Sequence, residues 1–178
     1  MIETDRLLIR SFKASDYLDL YEYLSNPDVY RFEPGDPVTL AEAQELALER
    51  STGDEFYAVV LKASGKMIGH LYLGQIEPKE HLSWELGYIF NPSFHRQGYA
   101  SEAARALVEY AFEHYQAHRI LARCDPENPA SWKLLERIGF RREGHFRQCG
   151  FFRRDQDGKP IWHDAYEYAI LREQGALK

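Results

Sequence analysis

The chain has 178 residues, 44% apolar and 28% charged, with 12 Tyr and 10 Phe, the composition of an ordinary soluble globular domain rather than a disordered one. Its net charge of −6, from 22 basic and 28 acidic residues, argues against nucleic acid as a non-specific partner, which needs a basic footprint. MIETDR at the start lacks the apolar stretch of a signal peptide, no apolar run reaches the ~20 residues of a membrane-spanning helix, and Cys124 and Cys149 cannot build a disulfide framework, so no membrane contact and a reduced cytoplasmic setting are expected.

In chain order, RLLIRSF (6–12) reads as a strand, and SDYLDLYEYL (15–24) as a helix with Ser15 as N-cap and Leu18, Tyr21 and Leu24 at helical spacing. TLAEAQELALER (39–50) follows as a second helix, opened by a capping box of Thr39 and Glu42. EFYAVVLK and KMIGHLYLGQIE flank Ala63-Ser64-Gly65 and read as a hairpin. Next come a strand over 81–91, a long helix over about 98–116 faced with alanines, and a short apolar strand at 119–125. PASWKLLERI (129–138) reads as a short helix capped by Asn128, with Pro129 at its first position and Gly139 as its stop. FRREGHFRQCGFF and IWHDAYEYAIL close the chain as two strands around RDQDGKP. The order predicts one α/β domain over 1–178, with a central sheet of about seven strands flanked by about four helices. The strand-helix-strand unit over 81–125 should cross over right-handed, making its strands parallel.

Charge is unevenly placed. Residues 1–60 hold 13 acids and 5 bases, residues 61–178 hold 15 acids and 17 bases. The split reads either as an acidic surface beside a mildly basic one or as solvated helix faces.

Gly98 stands between the 81–91 strand and the alanine-faced helix. A helix start offers unpaired backbone N–H groups and the positive end of the dipole, so phosphates bind there. Gly98 lets the backbone approach a ligand, Ala100 and Ser101 keep the first turn narrow, and Arg96 can add a charge-assisted bond. A pyrophosphate fits this site. The three spaced glycines of a dinucleotide fingerprint and the Gly-Lys-Ser/Thr of a P-loop are both missing.

HRQGYA (95–100) resembles the acyl-CoA pyrophosphate loop of the GNAT superfamily of N-acetyltransferases, Gln/Arg-x-x-Gly-x-Gly/Ala, with Gly98 and Ala100 matching and His95 at the first position. ENPASWKLLERIGF (127–140) resembles the second conserved segment of that family, with Asn128, Gly139 and Phe140 in place. The opening TDRLLIRSFKASDYLDLYEYLSNPDVYRF and the closing HDAYEYAIL are similar to the RimJ/RimL-type branch, which includes acetylases of ribosomal-protein N-termini. Together these cover roughly 3–172. The resemblance implies the GNAT-type acyl-CoA N-acyltransferase fold and acetyl transfer from acetyl-CoA to a primary amine, with no metal. It places the cosubstrate on Tyr88, Ile89 and Phe90, on His95, Arg96, Gln97, Gly98, Tyr99, Ala100 and Ser101, and near Asn128. The 88–90 stretch would pair with the pantetheine arm and lend a backbone N–H to the oxyanion.

Direct attack on the thioester needs a neutral amine. At pH 7 about a tenth of a chain α-amine is neutral but only about 1 in 2,500 of a lysine side chain, which favours a peptide or protein N-terminus. Glu85 is the candidate base: strand alternation puts it between Ser83 and Gly87, with room beside it, opposite a face of Leu82, Trp84, Leu86, Tyr88 and Phe90. The alternative is a Glu paired with an Arg of a neighbouring strand. A Tyr that many GNAT enzymes use as acid is replaced by Leu135. The branch often has Ser where Ser131 stands; Ser131 is either the donor to the departing sulfur or a first-turn Ser that satisfies local backbone. His114 and His118 are four apart without a third ligand and read as helix C-terminal residues. Cys124 reads as a buried inert thiol. Two rival readings are a small-molecule acetylase acting on an antibiotic or amino-acid amine and a non-catalytic acyl-CoA-binding module. The early helices, 15–50, and the 77–81 and 154–160 loops are expected to select the acceptor, and the chain is compatible with an oligomer.

Overall fold

A computed structural model describes residues 1–172. The elements are β1 (Ile2–Glu3), β2 (Leu7–Ser11), α1 (Tyr17–Leu24), α2 (Leu40–Thr52), β3 (Phe56–Leu61), β4 (Met67–Gln75), β5 (Ser83–Phe90), α3 (Tyr99–His114), β6 (Arg119–Cys124), α4 (Pro129–Arg137), β7 (Arg141–Arg154) and β8 (Pro160–Leu171). They form one eight-stranded mixed sheet in the order β1-β2-β3-β4-β5-β6-β8-β7. The eighth strand beyond the expected seven is β1, two residues long and therefore without periodicity of its own. The crossover through α3 makes β5 and β6 parallel, as the 81–125 unit predicts.

Strand alternation gives the sheet two apolar faces. Val59 joins the larger core with Leu107, Ala111 and Leu135 of α3 and α4, while its neighbours Ala58 and Val60 join a second core with Leu20, Tyr23 and Ala47 of α1 and α2. In β5, Leu86 and Phe90 face the first core and Ile89 the second, the expected alternation.

Two helix starts form as the sequence predicts. Thr39 and Glu42 close the capping box of α2, and the Asn128 side-chain Oδ1 accepts from Ser131 N at 3.2 Å. The first helix differs. Ser15 is not its cap: a short 3-10 turn over Ala14–Asp16 precedes α1, and Asp16 accepts from Lys13 N and from both terminal nitrogens of Arg10. The buried stripe is Leu20, Tyr23 and Leu24, and Leu18 is 59% exposed. Both stripes have helical spacing. Long-range bonds choose between them: Asp19 accepts from Lys66 Nζ and Met67 N at 2.9 Å each, and Tyr23 Oη lies 2.6 Å from His70 Nδ1.

The opening that matters lies between the parallel strands. β5 and β6 pair only through Ser83–Glu85 with Arg119–Leu121, although β5 runs on to Phe90. Beyond Glu85 the strands part, and β6 continues paired to β8 alone. The β5 edge over 86–90 thus faces a slot rather than a neighbour.

Candidate active site

The slot holds about 390 Å³. Glu85 to Tyr88 of β5 form one wall and Cys124 and Asp125, at the end of β6, the other; Asn128 and Ser131 of α4 close one side. Residues 32–34, after α1, and parts of the β7–β8 hairpin cover it. The hairpin is fastened over the slot where Arg153 donates to the carbonyl of Tyr30. A larger open groove of about 730 Å³ runs between β1 and the outer face of α3, but it contains neither Glu85 nor Ser131.

Gly98 forms the N-cap of α3 in the left-handed region, φ 82°, which favours glycine. The first intrahelical bond at this end runs from Glu102 N to Gly98 O, leaving the amides of Tyr99, Ala100 and Ser101 without partners in the helix. Arg96 is also left-handed, φ 60°, so the loop folds tightly before the helix. Arg6, which the sequence pattern does not mark, braces it: Nη1 donates to Gln97 O at 3.0 Å, Nε donates to Glu102 at 2.7 Å, and the guanidinium lies over the Tyr99 ring. His95 turns back, with Nε2 3.0 Å from Phe90 O, and so ties the loop to the end of β5. The Ser101 hydroxyl accepts from Arg137 at 3.0 Å, joining α3 to α4.

Within the slot, Glu85 is half-buried and makes no hydrogen bond or ion pair among the described residues. The Arg partner of the alternative reading is absent: Arg119 binds Glu143 at 2.5 Å and Arg123 binds Glu167 at 2.8 Å. Ser131 Oγ lies 2.8 Å from Tyr88 Oη, and Ser131 N serves the Asn128 cap. Tyr88 thus brings a hydroxyl as well as backbone to the site. Burial raises its pKa, so the phenol keeps its proton. Burial likewise pushes the Cys124 thiol up to about 11, which keeps it protonated; Cys124 is nonetheless half-buried and lines the slot instead of lying in the core. Leu135 is fully buried. His114 Nδ1 lies 3.3 Å from Tyr110 O in the last turn of α3, and among the described residues no group of three His, Cys, Asp or Glu is arranged to hold a metal ion.

The elements expected to select the acceptor contribute little to the slot. Helices α1 and α2 pack on the second core, and from residues 15–50 only Phe32, Glu33 and Pro34 reach the slot. The 77–81 and 154–160 loops do not line it. Five of the 13 acids in residues 1–60 serve the fold: Glu3 pairs with Lys62, Asp16 with Arg10, Asp19 and Glu22 with Lys66, and Glu42 caps α2. Glu33 is the one that lines the slot. Burial pushes its carboxyl up to about 7, and it has no hydrogen-bond or ion-pair partner among the described residues. The other slot acids, Glu85, Asp125 and Asp164, come from the second part of the chain. No local pattern marks Glu33, because its place depends on a hairpin more than 100 residues downstream.

The arrangement combines a helix start with free amides, an open strand edge, slot carboxylates and a hydroxyl pair. Residues 6–141 match the profile of the acetyltransferase (GNAT) domain. The chain is 40% identical over 179 residues to YnaD, an uncharacterized N-acetyltransferase of Bacillus subtilis (strain 168), covering 97% of this chain and 98% of that one. A ribosomal-protein-serine acetyltransferase of Escherichia coli (strain K12) is 31% identical over 86 residues, 48% of each chain. The crystal structure of a GNAT-family acetyltransferase from Bacillus anthracis superposes with a TM-score of 0.87 at 36% identity, over 97% of this chain and 98% of that one. Fold, loop and profile agree, and the chain belongs to the GNAT family of N-acetyltransferases.

Proposed function

We propose that this enzyme acetylates the α-amine of a peptide or protein N-terminus, by direct attack of the neutral amine on the thioester of acetyl-CoA in the slot between β5 and β6. The observation that carries this is Glu85: a carboxylate without a partner at the point where the strands part, on the opposite face of β5 from the Tyr88–Ser131 hydroxyl pair. The pyrophosphate binds the free amides of Tyr99, Ala100 and Ser101, with Gly98 leaving room and Arg96 and Gln97 beside it. The pantetheine arm runs along the free edge over Tyr88, Ile89 and Phe90, past Asn128, and a backbone N–H of that edge holds the oxyanion. Glu85 takes the proton of the attacking amine, directly or through one water. As the C–N bond forms and the C–S bond breaks, Ser131 gives its proton to the sulfur and regains one from water, so it is not left as an alkoxide, and Glu85 releases the amine proton to solvent. The Tyr88 hydroxyl, 2.8 Å away, orients Ser131. A thiol pKa near 8.5 makes the sulfur a fair leaving group, so a weak acid is enough.

The resemblance to the RimJ/RimL-type branch supports a protein N-terminus as acceptor, and the similarity to the ribosomal-protein-serine acetyltransferase of E. coli agrees with a protein substrate. A small amine is the second reading, favoured by the Arg153 tie over the slot, which limits the covered space to about 390 Å³. Thiol release from acetyl-CoA, measured against N-terminal peptides, N-blocked lysine peptides and small amines, separates them. Turnover with the free N-termini is expected. Turnover confined to small amines would overturn the peptide assignment.

A further inference from the structure

The loop that carries Glu33 is anchored on both sides of the slot. Asn26 caps the 3-10 turn over Pro27–Arg31 by accepting from Asp28 N, Tyr30 Oη donates to Leu24 O at 3.0 Å, and Arg153 of β7 donates to Tyr30 O. Gly35, in the left-handed region with φ 97°, lets the chain turn closely past the Tyr30 ring. Glu33 is therefore positioned, not trailing in solvent.

Among the described residues no cation is paired with it. From β5 it is faced by Glu85 and Tyr88, and from the end of β6 by Arg123, Cys124 and Asp125. Cys149 of β7 and His163 and Asp164 of β8 complete the ionisable lining. The basic side chains among these have other partners: Arg123 binds Glu167, and His163 Nδ1 lies 3.3 Å from Asp125. Asp164 has His145 at 2.7 Å and the amide of Gln148. A structural carboxylate losing its water is ordinarily hydrogen-bonded or paired. Glu33 is neither, in a slot where a ligand must sit.

We propose that Glu33 reads a second positive charge on the acceptor, set apart from the amine that is acetylated. This rests on the assignment of the slot to acetyl transfer. A carboxylate that held the reacting nitrogen as an ammonium would keep it from attacking. With two carboxylates the tasks separate: Glu85 removes the proton of the reacting amine, and Glu33 pairs with a group that stays charged. The substrate class is then an amine bearing a guanidinium or a second ammonium.

Two peptides test this, alike except for arginine or citrulline at the second position, since citrulline keeps the shape and removes the charge. At pH 8 the wild type should prefer the arginine peptide by about tenfold in kcat/KM, the difference lying in KM. The preference should fall as pH is lowered through 7, where Glu33 takes up a proton. In Glu33→Gln the two peptides should agree within about twofold at every pH, through a rise in KM for the arginine peptide. Butane-1,4-diamine against butylamine gives the same comparison for small amines. Full retention of the preference in Glu33→Gln, or a loss in kcat alone, overturns the proposal. Calorimetric binding of the same pairs makes its failure distinguishable from failure of the acetyl-transfer assignment. Charge preference in binding that depends on Glu33, without turnover, would remove the catalytic assignment only. Equal binding of charged and uncharged partners would remove the role of Glu33.

Discussion

At Glu33 a carboxylate loses water without gaining a partner, and the folded chain holds its proton up to about pH 7. The unfolded chain releases it near 4.3. Between those values the native state binds more protons than the unfolded state, so this group lowers stability progressively as pH rises from about 4.5 to 7, and the penalty is complete above that. Glu33→Gln removes it. Thermal unfolding at pH 8 should show the variant more stable by roughly 1–3 kcal/mol, discounted for the partial exposure of the loop, with the gain fading towards pH 4.5. An equal gain at both pH values would mean that desolvation of the charge is not its origin. His70 acts in the opposite sense. Burial, with Arg50 nearby, holds its pKa well below the ordinary value, so its contribution is present above about 6.5 and lost as pH falls below that. Glu85 makes a different prediction. Glu85→Gln should lower kcat by ~10²–10⁴ while calorimetry finds acetyl-CoA affinity kept, and Ser131→Ala should cost less because the thiolate leaves readily. Wild-type turnover in Glu85→Gln would remove it from the mechanism.

The elements show how far local pattern reaches. Starts of α2 and α4 were legible because each is decided within four residues, by Thr39 with Glu42 and by Asn128 with Pro129. The glycine-capped start of α3 was legible for the same reason: Gly98 and the alanine face are adjacent in sequence. The buried face of α1 was not, because Leu18-Tyr21-Leu24 and Leu20-Tyr23-Leu24 both have helical spacing and the choice is made by Lys66 and by Met67 and His70 of β4. Asp19 carries much of that choice. Asp19→Ala would leave the Met67 amide without its acceptor and should cost about 1–3 kcal/mol in denaturant unfolding, more than its exposed ion pair with Lys66 alone would give. Likewise Tyr88 was assigned to the right face of β5, but its partner Ser131 is on a helix 43 residues away. At the start of α3, Gly98→Glu combines left-handed backbone strain of about 1 kcal/mol with a charge set against phosphate. The variant should fold, and calorimetry should show acetyl-CoA binding strongly weakened. Unchanged affinity in the folded variant would move the pyrophosphate elsewhere.

For the whole molecule, the question is which of its acids an approaching substrate meets. The surplus in residues 1–60 suggested a mouth built from early helices. Ion pairs with Arg10, Lys62 and Lys66 and the cap of α2 engage five of its 13 acids, and of the other eight only Glu33 lines the slot. What reaches the slot is a smaller set from distant parts of the chain. Among the described residues Glu33 and Glu85 have no partner there, and Asp125 and Asp164 have histidines. Two uncompensated carboxylates in a covered slot, on a chain of net charge −6, make a negative field that steers cationic amines inward. Such steering acts outside the slot and is screened as the Debye length shrinks from about 10 Å at 0.1 M to about 3 Å at 1 M. With acetyl-CoA saturating, kcat/KM for the arginine peptide should therefore fall roughly three- to tenfold between 0.05 and 0.5 M salt. The citrulline peptide should fall less. Because Glu33→Gln removes one of the two charges, it should flatten the salt dependence as well as the peptide preference. A salt response equal for both peptides, and unchanged in Glu33→Gln, would place the attraction in the general charge of the molecule and not in the slot.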